Sequence, residues 1–381
     1  MKITNNFKLS FPKSTLIGFG ALERLGEELR AKGLSRCLLV TDKFMAESGV
    51  AQKVSDILNK FNIQLSVYSG VKPDPTLEQV REGVSEFLNN SCDSIISLGG
   101  GSPHDCAKAV KLTVLKGGLT KRSELVLTAV NTTAGTASEV TKFAIIKDEE
   151  KHYKLSLVDE SIIPDIAVDD TELMLNMPPK LTAATGMDAL THAVEAFVAK
   201  DRNYFTDCTA LKAIELIHKF LVRAYKDGCD IEAREGMAYA QYLAGLAFSN
   251  AGLGLVHAMA HQLGGLYGLP HGLCNAVLLP YVLDANSVAV SSSYGTIAKT
   301  IGLCEKAIPD KTASRILIGY VRGLNKQLQI PGSTKELGVK YEDCETLAKM
   351  AMEDPSLKMN PMEIKEEDLL KIYQKAYKHL I

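Results

Sequence analysis

The sequence predicts an α/β domain built on a parallel sheet, followed by an all-α domain. Three observations carry that expectation. Short β-branched runs alternate with helical patterns up to about residue 170, strand signals fade beyond Pro178, and a Met-Pro-Pro step stands at the change. Strands that alternate with helices are the mark of parallel strands joined by crossover helices. The strand runs are CLLV at 37–40, IQLSV at 63–67, SIISL at 94–98, LVLTAV at 125–130 and DIAV at 165–168. Between them, Ala46 to Phe61 and Thr76 to Leu88 place apolar residues at helical spacing.

In the second half, 181–199, 204–224, 231–250 and 253–268 carry helical periodicity with few β-branched runs. A last helix is expected over 366–379, where Leu369, Leu370, Ile372, Tyr373 and Ala376 share a side. Met177 to Pro179 is the expected seam, since consecutive prolines fit neither a helix interior nor a central strand. The domains are therefore placed at 1–178 and 179–381. A chain of 381 residues suits two domains, because single cores stop growing at about 250–300 residues.

Lys and Arg total 43 against 45 for Asp and Glu, so there is no electrostatic footprint for nucleic acid or an anionic membrane. The expected partners are small molecules and further copies of the chain, as a homo-oligomer. The N-terminal MKITNNFKLSFPKSTLIGFG lacks a signal-peptide core, and no run of about 18 apolar residues is found, so a cytoplasmic protein is expected. Eight cysteines are spread without a CxxC pair, which argues against both a disulfide framework and a thiolate zinc site.

Gly99-Gly100-Gly101-Ser102-Pro103-His104-Asp105 follows the SIISL strand and precedes the helical run CAKAVKL. Glycines there let backbone approach a ligand, Ser102 is placed to cap the helix, and Pro103 suits its first turn. The helix N-terminus is then aimed at a pyrophosphate. His104 stands where a GxGxxG fingerprint has its third glycine, so the loop alone is equally well read as a glycine-rich turn. Asp42 ends the first expected strand, where an acid accepts hydrogen bonds from a ribose diol and repels a 2′-phosphate, favouring NAD over NADP. The plainer reading is a strand-end Asp that caps a turn. The segment Asn131 to Glu139, with Thr132, Thr133, Thr136 and Ser138, offers hydroxyl and amide donors, or else forms a Ser/Thr-rich turn.

Asp188 and His192 are four apart in a helical pattern and share a face. His257 and His261 repeat that spacing, and His271 follows ten residues on. One such histidine on an apolar helix is ordinarily a hydrogen-bonded core residue, but four beside one carboxylate suggest a shared metal. An Asp with histidines suits Fe²⁺, Zn²⁺, Co²⁺ or Ni²⁺ better than Mg²⁺ or Ca²⁺. Spacing does not choose the ion, nor say which three of the four histidines coordinate it.

Together these segments resemble the iron-containing (group III) alcohol dehydrogenases. The resemblance runs through LLVTDKFMAESGV, GVKPDPT, SLGGGSPHDCAKA, NTTAGTASEVT, MPPKLTAATGMDALTHAVEAF and GLVHAMAHQLGGLYGLPHGLCNAVLLP to Asn360-Pro361. The glycine loop is shared with glycerol dehydrogenase-like and dehydroquinate synthase-like enzymes, which remain the alternative on the same scaffold. The resemblance implies a dehydroquinate synthase-like architecture: a nucleotide-binding α/β domain, an all-α metal-binding domain, and an active site between them. It implies Asp188, His192, His257 and His271 as ligands of Fe²⁺, with Zn²⁺ or Ni²⁺ as substitutes, and His261 beside the nicotinamide. Asp42, Asp74, Gly100, Gly101, Ser102, Thr132, Thr133, Thr136, Ser138 and Lys154 are implied as NAD contacts, Asp74 standing where many relatives carry Asn.

The chemistry expected is hydride transfer between NAD(H) and a small primary alcohol, diol or aldehyde, with a divalent ion as Lewis acid. No protein nucleophile is needed. His261 is the candidate proton relay.

Overall fold

Runs of Leu, Ile and Val that are apolar on both faces form strands only where helices cover both sides of a sheet, and the first half of the chain is built in that way. The structure is a computed structural model that describes residues 6–120, 122, 124–150 and 153–380, the side chains of 153 and 154 excepted. It divides into two units, Met1–Asn176 and Met177–Ile381.

In the first unit the elements run β1 (Ser14–Gly18), α1 (Leu25–Ala31), β2 (Arg36–Asp42), α2 (Lys43–Glu47), α3 (Val50–Asn59), β3 (Gln64–Val71), α4 (Leu77–Asn89) and β4 (Ser94–Gly99). They continue with α5 (Gly101–Lys116), β5 (Val126–Asn131), β6 (Phe143–Asp148), β7 (Tyr153–Val158) and β8 (Ile166–Asp170). Six strands form one parallel sheet in the order β1-β8-β5-β4-β2-β3, and β6 and β7 make a separate antiparallel ribbon. Alternate side chains of each strand enter opposite cores. Leu39, Ile96, Leu98, Val130 and Val168 pack against α1 and α3, while Leu38, Val40, Ile95 and Leu127 pack against α4 and α5.

The strand order places the site. From β2 the chain steps outward to β3, then returns to lay β4 on the other side of β2. At such a reversal the loops leave the strand ends in opposite directions and open a crevice. Thr41 pairs with Leu98 and Gly99 with Asn131, so Asp42, the glycine turn and the hydroxyl-rich loop share one edge.

The second unit is helical: α6 (Pro179–Val198), α7 (Tyr204–Lys226), α8 (Ile231–Ala251), α9 (Leu255–Tyr267), α10 (His271–Thr300), α11 (Asp310–Gln327), α12 (Cys344–Met352) and α13 (Glu366–Lys378). Pro178 and Pro179 open α6, where a missing N–H costs nothing. α6, α7 and α8 pack on one another, and α10 packs on α6, α9, α11 and α13. α8 and α9 meet at a 103° bend through Gly252–Gly254.

Several expectations need correction. The single helix over Ala46 to Phe61 is two, because Gly49 at φ +88° breaks it. Gly100, not Ser102, stands at the N-cap of α5, and Ser102 lies in its first turn. β1, α1, β6, β7, α10, α11 and α12 are further elements beyond those expected from the sequence. α10 is also long and apolar enough by length and composition to cross a membrane, with 61% of its most apolar stretch buried in the unit. Asn275, Asp284 and Asn286 interrupt the apolar run without removing its apolar character, so a search for unbroken runs passes over it.

Candidate metal centre and dinucleotide loops

Three helices bring the metal-type side chains together. Asp188 and His192 project from one face of α6, one turn apart. Glu195 lies on the same face, and its carboxylate reaches the first turn of α9: Oε2 accepts from Gly254 N–H at 3.0 Å and Oε1 from Val256 N–H at 2.6 Å. Glycine at 254 eases this approach, since a Cβ there would stand 3.1 Å from Glu195 Oε1 and 3.3 Å from Asn360 Oδ1, tighter than side chains ordinarily pack. The bend puts His257 one turn into α9, with Nδ1 2.6 Å from Glu195 Oε2.

His271 is the first residue of α10. Its neighbour Gly272 packs so closely on α6 that a Cβ would stand 2.4 Å from the Ala184 carbonyl oxygen. That contact brings His271 Nε2 to 3.5 Å from Asp188 Oδ1, with His192 Nε2 3.8 Å from the same atom. One ligand atom each from Asp188, His192, His257 and His271 lie within 4.8 Å of one another. The His257 ring stacks at 4.8 Å on His192, which is stacked at 4.3 Å on Phe248.

The donor set fits a divalent ion. His192 Nε2 faces Asp188 Oδ1 at 3.8 Å, beyond hydrogen-bond distance, so an electron-pair acceptor set between them has a role for this nitrogen that a bond to the carboxylate does not fill. Burial, then the neighbouring imidazoles, hold the His257 pKa well below its ordinary value, which leaves the neutral ring that a metal needs. Burial works against the Asp188 carboxylate, but the three imidazoles and Asn275 outweigh it and hold its pKa low. Burial pushes Glu195 up to about 7.

His261, one turn beyond His257, is outside this group. Its Nδ1 is 2.8 Å from Asp354 Oδ2, and its ring stacks at 5.3 Å on His271. Asp354 also takes the Gln262 amide at 3.3 Å and the Ser356 N–H at 2.9 Å. Burial alone would raise the Asp354 pKa, but the bonds from His261 and Ser356 hold it low.

On the sheet edge, Asp42 closes β2 and accepts from the Met45 N–H at 2.8 Å, capping α2. Gly99 has φ +138°, and a Cβ there would meet Pro103 at 2.7 Å. Side chains at Gly100 and Gly101 would close to 3.1 Å on Thr133 and Thr136, so the two glycines let the hydroxyl loop lie directly against the α5 N-terminus. The bare glycine backbone and the helix N-terminus suit a pyrophosphate. Asn131 braces the loop by accepting from Thr133 N–H at 3.0 Å and donating to Thr133 C=O at 2.7 Å and Asp169 at 2.8 Å. Thr132 N–H is tied to Gly99 C=O at 3.0 Å. Asp74 is exposed at φ +55°, a conformation that Asp and Asn tolerate better than other side chains. Ser138 is buried and donates its proton to Asp105. The Lys154 backbone pairs with Lys147 in the β6–β7 ribbon, and its side chain lies outside the described residues.

Sequence reasoning missed Glu195, Asn275 and Asp354. Glu195 is three residues past His192 and Asn275 four past His271, so a search of the same helix faces finds both. The Asn275 amide nitrogen sits 2.6 Å from Asp188 Oδ1 and 3.1 Å from Nε2 of both His257 and His271. Asp354 has no local signal; it arrives from 93 residues beyond His261.

Residues 12–171 match the family model described as iron-containing alcohol dehydrogenase, and residues 182–377 match the C-terminal model of the Fe-containing alcohol dehydrogenase family. The chain is 43% identical to alcohol dehydrogenase 4 of Saccharomyces cerevisiae, over 97% of this chain and 98% of that protein. It is 40% identical to the NAD-dependent methanol dehydrogenase of Bacillus methanolicus, over 98% of this chain and 100% of that one. A solved structure of 1,3-propanediol oxidoreductase matches with a TM-score of 0.94 at 39% identity, covering 98% of this chain and 100% of that one.

Proposed function

The chain belongs to the iron-containing alcohol dehydrogenase family and is an NAD-linked alcohol dehydrogenase and aldehyde reductase; we propose that it interconverts small primary alcohols or diols with their aldehydes, using Fe²⁺ held by Asp188, His192, His257 and His271. The observation that carries this reading is the convergence of those four side chains from three helices, with Glu195 bonded behind His257. When bound, the ion supplies Lewis acidity toward an alcohol or carbonyl oxygen, and the nicotinamide supplies or accepts the hydride. The donor set carries one negative charge against three neutral rings and so does not cancel the charge of a divalent cation. Zn²⁺ and Ni²⁺ suit the same ligands. The relatives named for methanol and 1,3-propanediol support a small substrate with a primary hydroxyl.

In this reading Gly100, Gly101 and Ser102 hold the pyrophosphate at the α5 N-terminus, and Asp42 accepts from the ribose hydroxyls and disfavours NADP. Asp74, Thr132, Thr133, Thr136 and Lys154 complete the contacts, and Ser138 shapes the same loop. The enzyme is placed in the cytoplasm as a homo-oligomer. Eight free cysteines, five of them buried, support a reducing compartment. Exposed Phe7, Leu9, Phe11 and Phe19 on either side of edge strand β1 support self-association.

His261 relays the proton of alcohol oxidation. With Nδ1 bonded to Asp354, Nε2 is left to receive it. His261→Ala is expected to retain metal and lose about 10²-fold in kcat, with part of the loss restored by added imidazole. An unchanged kcat reduces His261 to a wall of the pocket.

The overall reading is tested by NAD⁺ reduction over a panel of short alcohols, on enzyme purified without oxygen and loaded in turn with Fe²⁺, Zn²⁺ or Ni²⁺. Net NADH production from primary alcohols, greatest with Fe²⁺, is expected. No turnover with any loaded ion contradicts the reading, and cofactor bound but never released as net NADH points to the synthase-like alternative.

A further inference from the structure

Two of the charged side chains on α5 face the hydroxyl-rich loop and are not used by the proposed chemistry. Asp105 and Lys108 are one turn apart on that helix, and Lys108 is fully buried, within a stretch of buried residues from Cys106 to Lys111. An ammonium in such surroundings is costly unless all its protons are bonded. Here they are: Lys108 Nζ donates to Ser138 Oγ at 2.9 Å, Thr141 Oγ1 at 3.1 Å and Phe143 C=O at 2.7 Å. Asp105 accepts from Ser138 Oγ at 2.8 Å and from Ile145 N–H at 3.0 Å.

Every one of these bonds ends on residues 138–145, the stretch that leaves the hydroxyl-rich loop and becomes β6. The same helix opens at Gly101 against Thr136. Two side chains on α5 therefore fix the spacing between the glycine turn and the loop. Ser138 gives its only proton to Asp105 while accepting from Lys108, so its hydroxyl bridges the pair. A methionine or leucine would fill the space occupied by Lys108 without the desolvation cost, but with no directional hold on three partners.

We propose that Asp105 and Lys108 are positioning residues for the dinucleotide, fastening the 138–145 segment to α5 so that the loop is held in place beside the helix N-terminus before the cofactor enters. This rests on the reading of the two loops as the NAD(H) site. Neither residue touches the cofactor; both act through Ser138, Thr141 and the backbone of Phe143 and Ile145. A loop already fastened spares the bound cofactor the entropy of ordering it, so loosening it weakens binding more than chemistry.

The test uses the metal-loaded full chain, with NADH binding followed by fluorescence and NAD⁺ varied in steady-state assays. Since Lys108→Met alone strands the Asp105 charge, the double variant Asp105→Asn/Lys108→Met is compared with Ser138→Ala, which removes only the bridge. Expected is a rise of about 10-fold in the NADH Kd and in KM for NAD⁺ for the double variant, larger than any fall in kcat, with a smaller rise for Ser138→Ala. KM for the alcohol stays put. A folded double variant with a lowered Tm but an unaltered KM for NAD⁺ overturns the proposal; if that variant does not fold, an unaltered KM in Ser138→Ala does so. Wild-type enzyme that binds no NADH overturns instead the reading of the loops.

Discussion

His257→Ala is expected to yield protein that purifies without its metal and oxidises alcohol at least about 10³-fold more slowly in kcat/KM, since a Lewis acid contributes several kcal/mol to such a barrier. His257 is the ligand-type side chain held most firmly in place. It is buried, stacked on His192 and fixed by Glu195 from behind. Its loss leaves Asp188, His192 and His271 around a void and takes from Glu195 one of its short hydrogen bonds, so that a buried carboxyl already pushed up to about 7 is driven further toward its neutral form. Metal analysis of the purified variant checks the first part and steady-state rates the second. NADH binding is the control, because the proposed dinucleotide residues are all in the first unit. A variant that keeps one ion per chain and near-normal rates would remove His257 from the ligand set.

Much of this molecule can be read from its chain, and the rest is hidden for definite reasons. The central strands announce themselves because both of their faces are buried, which gives runs such as SIISL and LLV. β1 does not, since its STLIG lies at the sheet edge with one fully buried residue among half-buried ones. The β6–β7 ribbon is hard to read from the sequence because β6 alternates buried and half-buried residues and follows a loop rich in hydroxyls. For the site, Asp188 and His192 follow from helical spacing alone. The choice between His261 and His271 does not, although the 257/261 pair looks the better match to 188/192. It is decided by how two helices pack: Gly272 lets α10 press on α6, while Asp354, from a distant turn, holds His261 aside. Neither contact is local in sequence, so no spacing rule reaches it.

The Glu195 carboxylate gives the second large effect, on metal affinity and not on the chemical groups themselves. Glu195→Gln is expected to raise the dissociation constant for the ion by about 10- to 100-fold. The carboxylate meets three donors, Gly254 N–H, Val256 N–H and His257 Nδ1–H, and all three need an oxygen. Glutamine is isosteric but has one oxygen and one NH₂. If its oxygen takes the place of Oε2, the amide faces the Val256 N–H; if it takes the place of Oε1, the amide faces both Gly254 and His257. In the first case α9 shifts at its first turn, and in the second His257 is free to swap tautomer and turn its proton toward the ligand cluster. Either way the ring loses the negative charge behind it that makes its outer nitrogen a stronger electron-pair donor. Competition against a chelator of known affinity, with Zn²⁺ as a redox-silent probe, reads the change directly and needs no turnover. A purely structural carboxylate would lower Tm in the metal-free protein and leave the chelator competition unmoved. The expected pattern is the reverse: most of the loss of stability is seen only in the metal-loaded protein, since it is the bound state that His257 must be held ready to form.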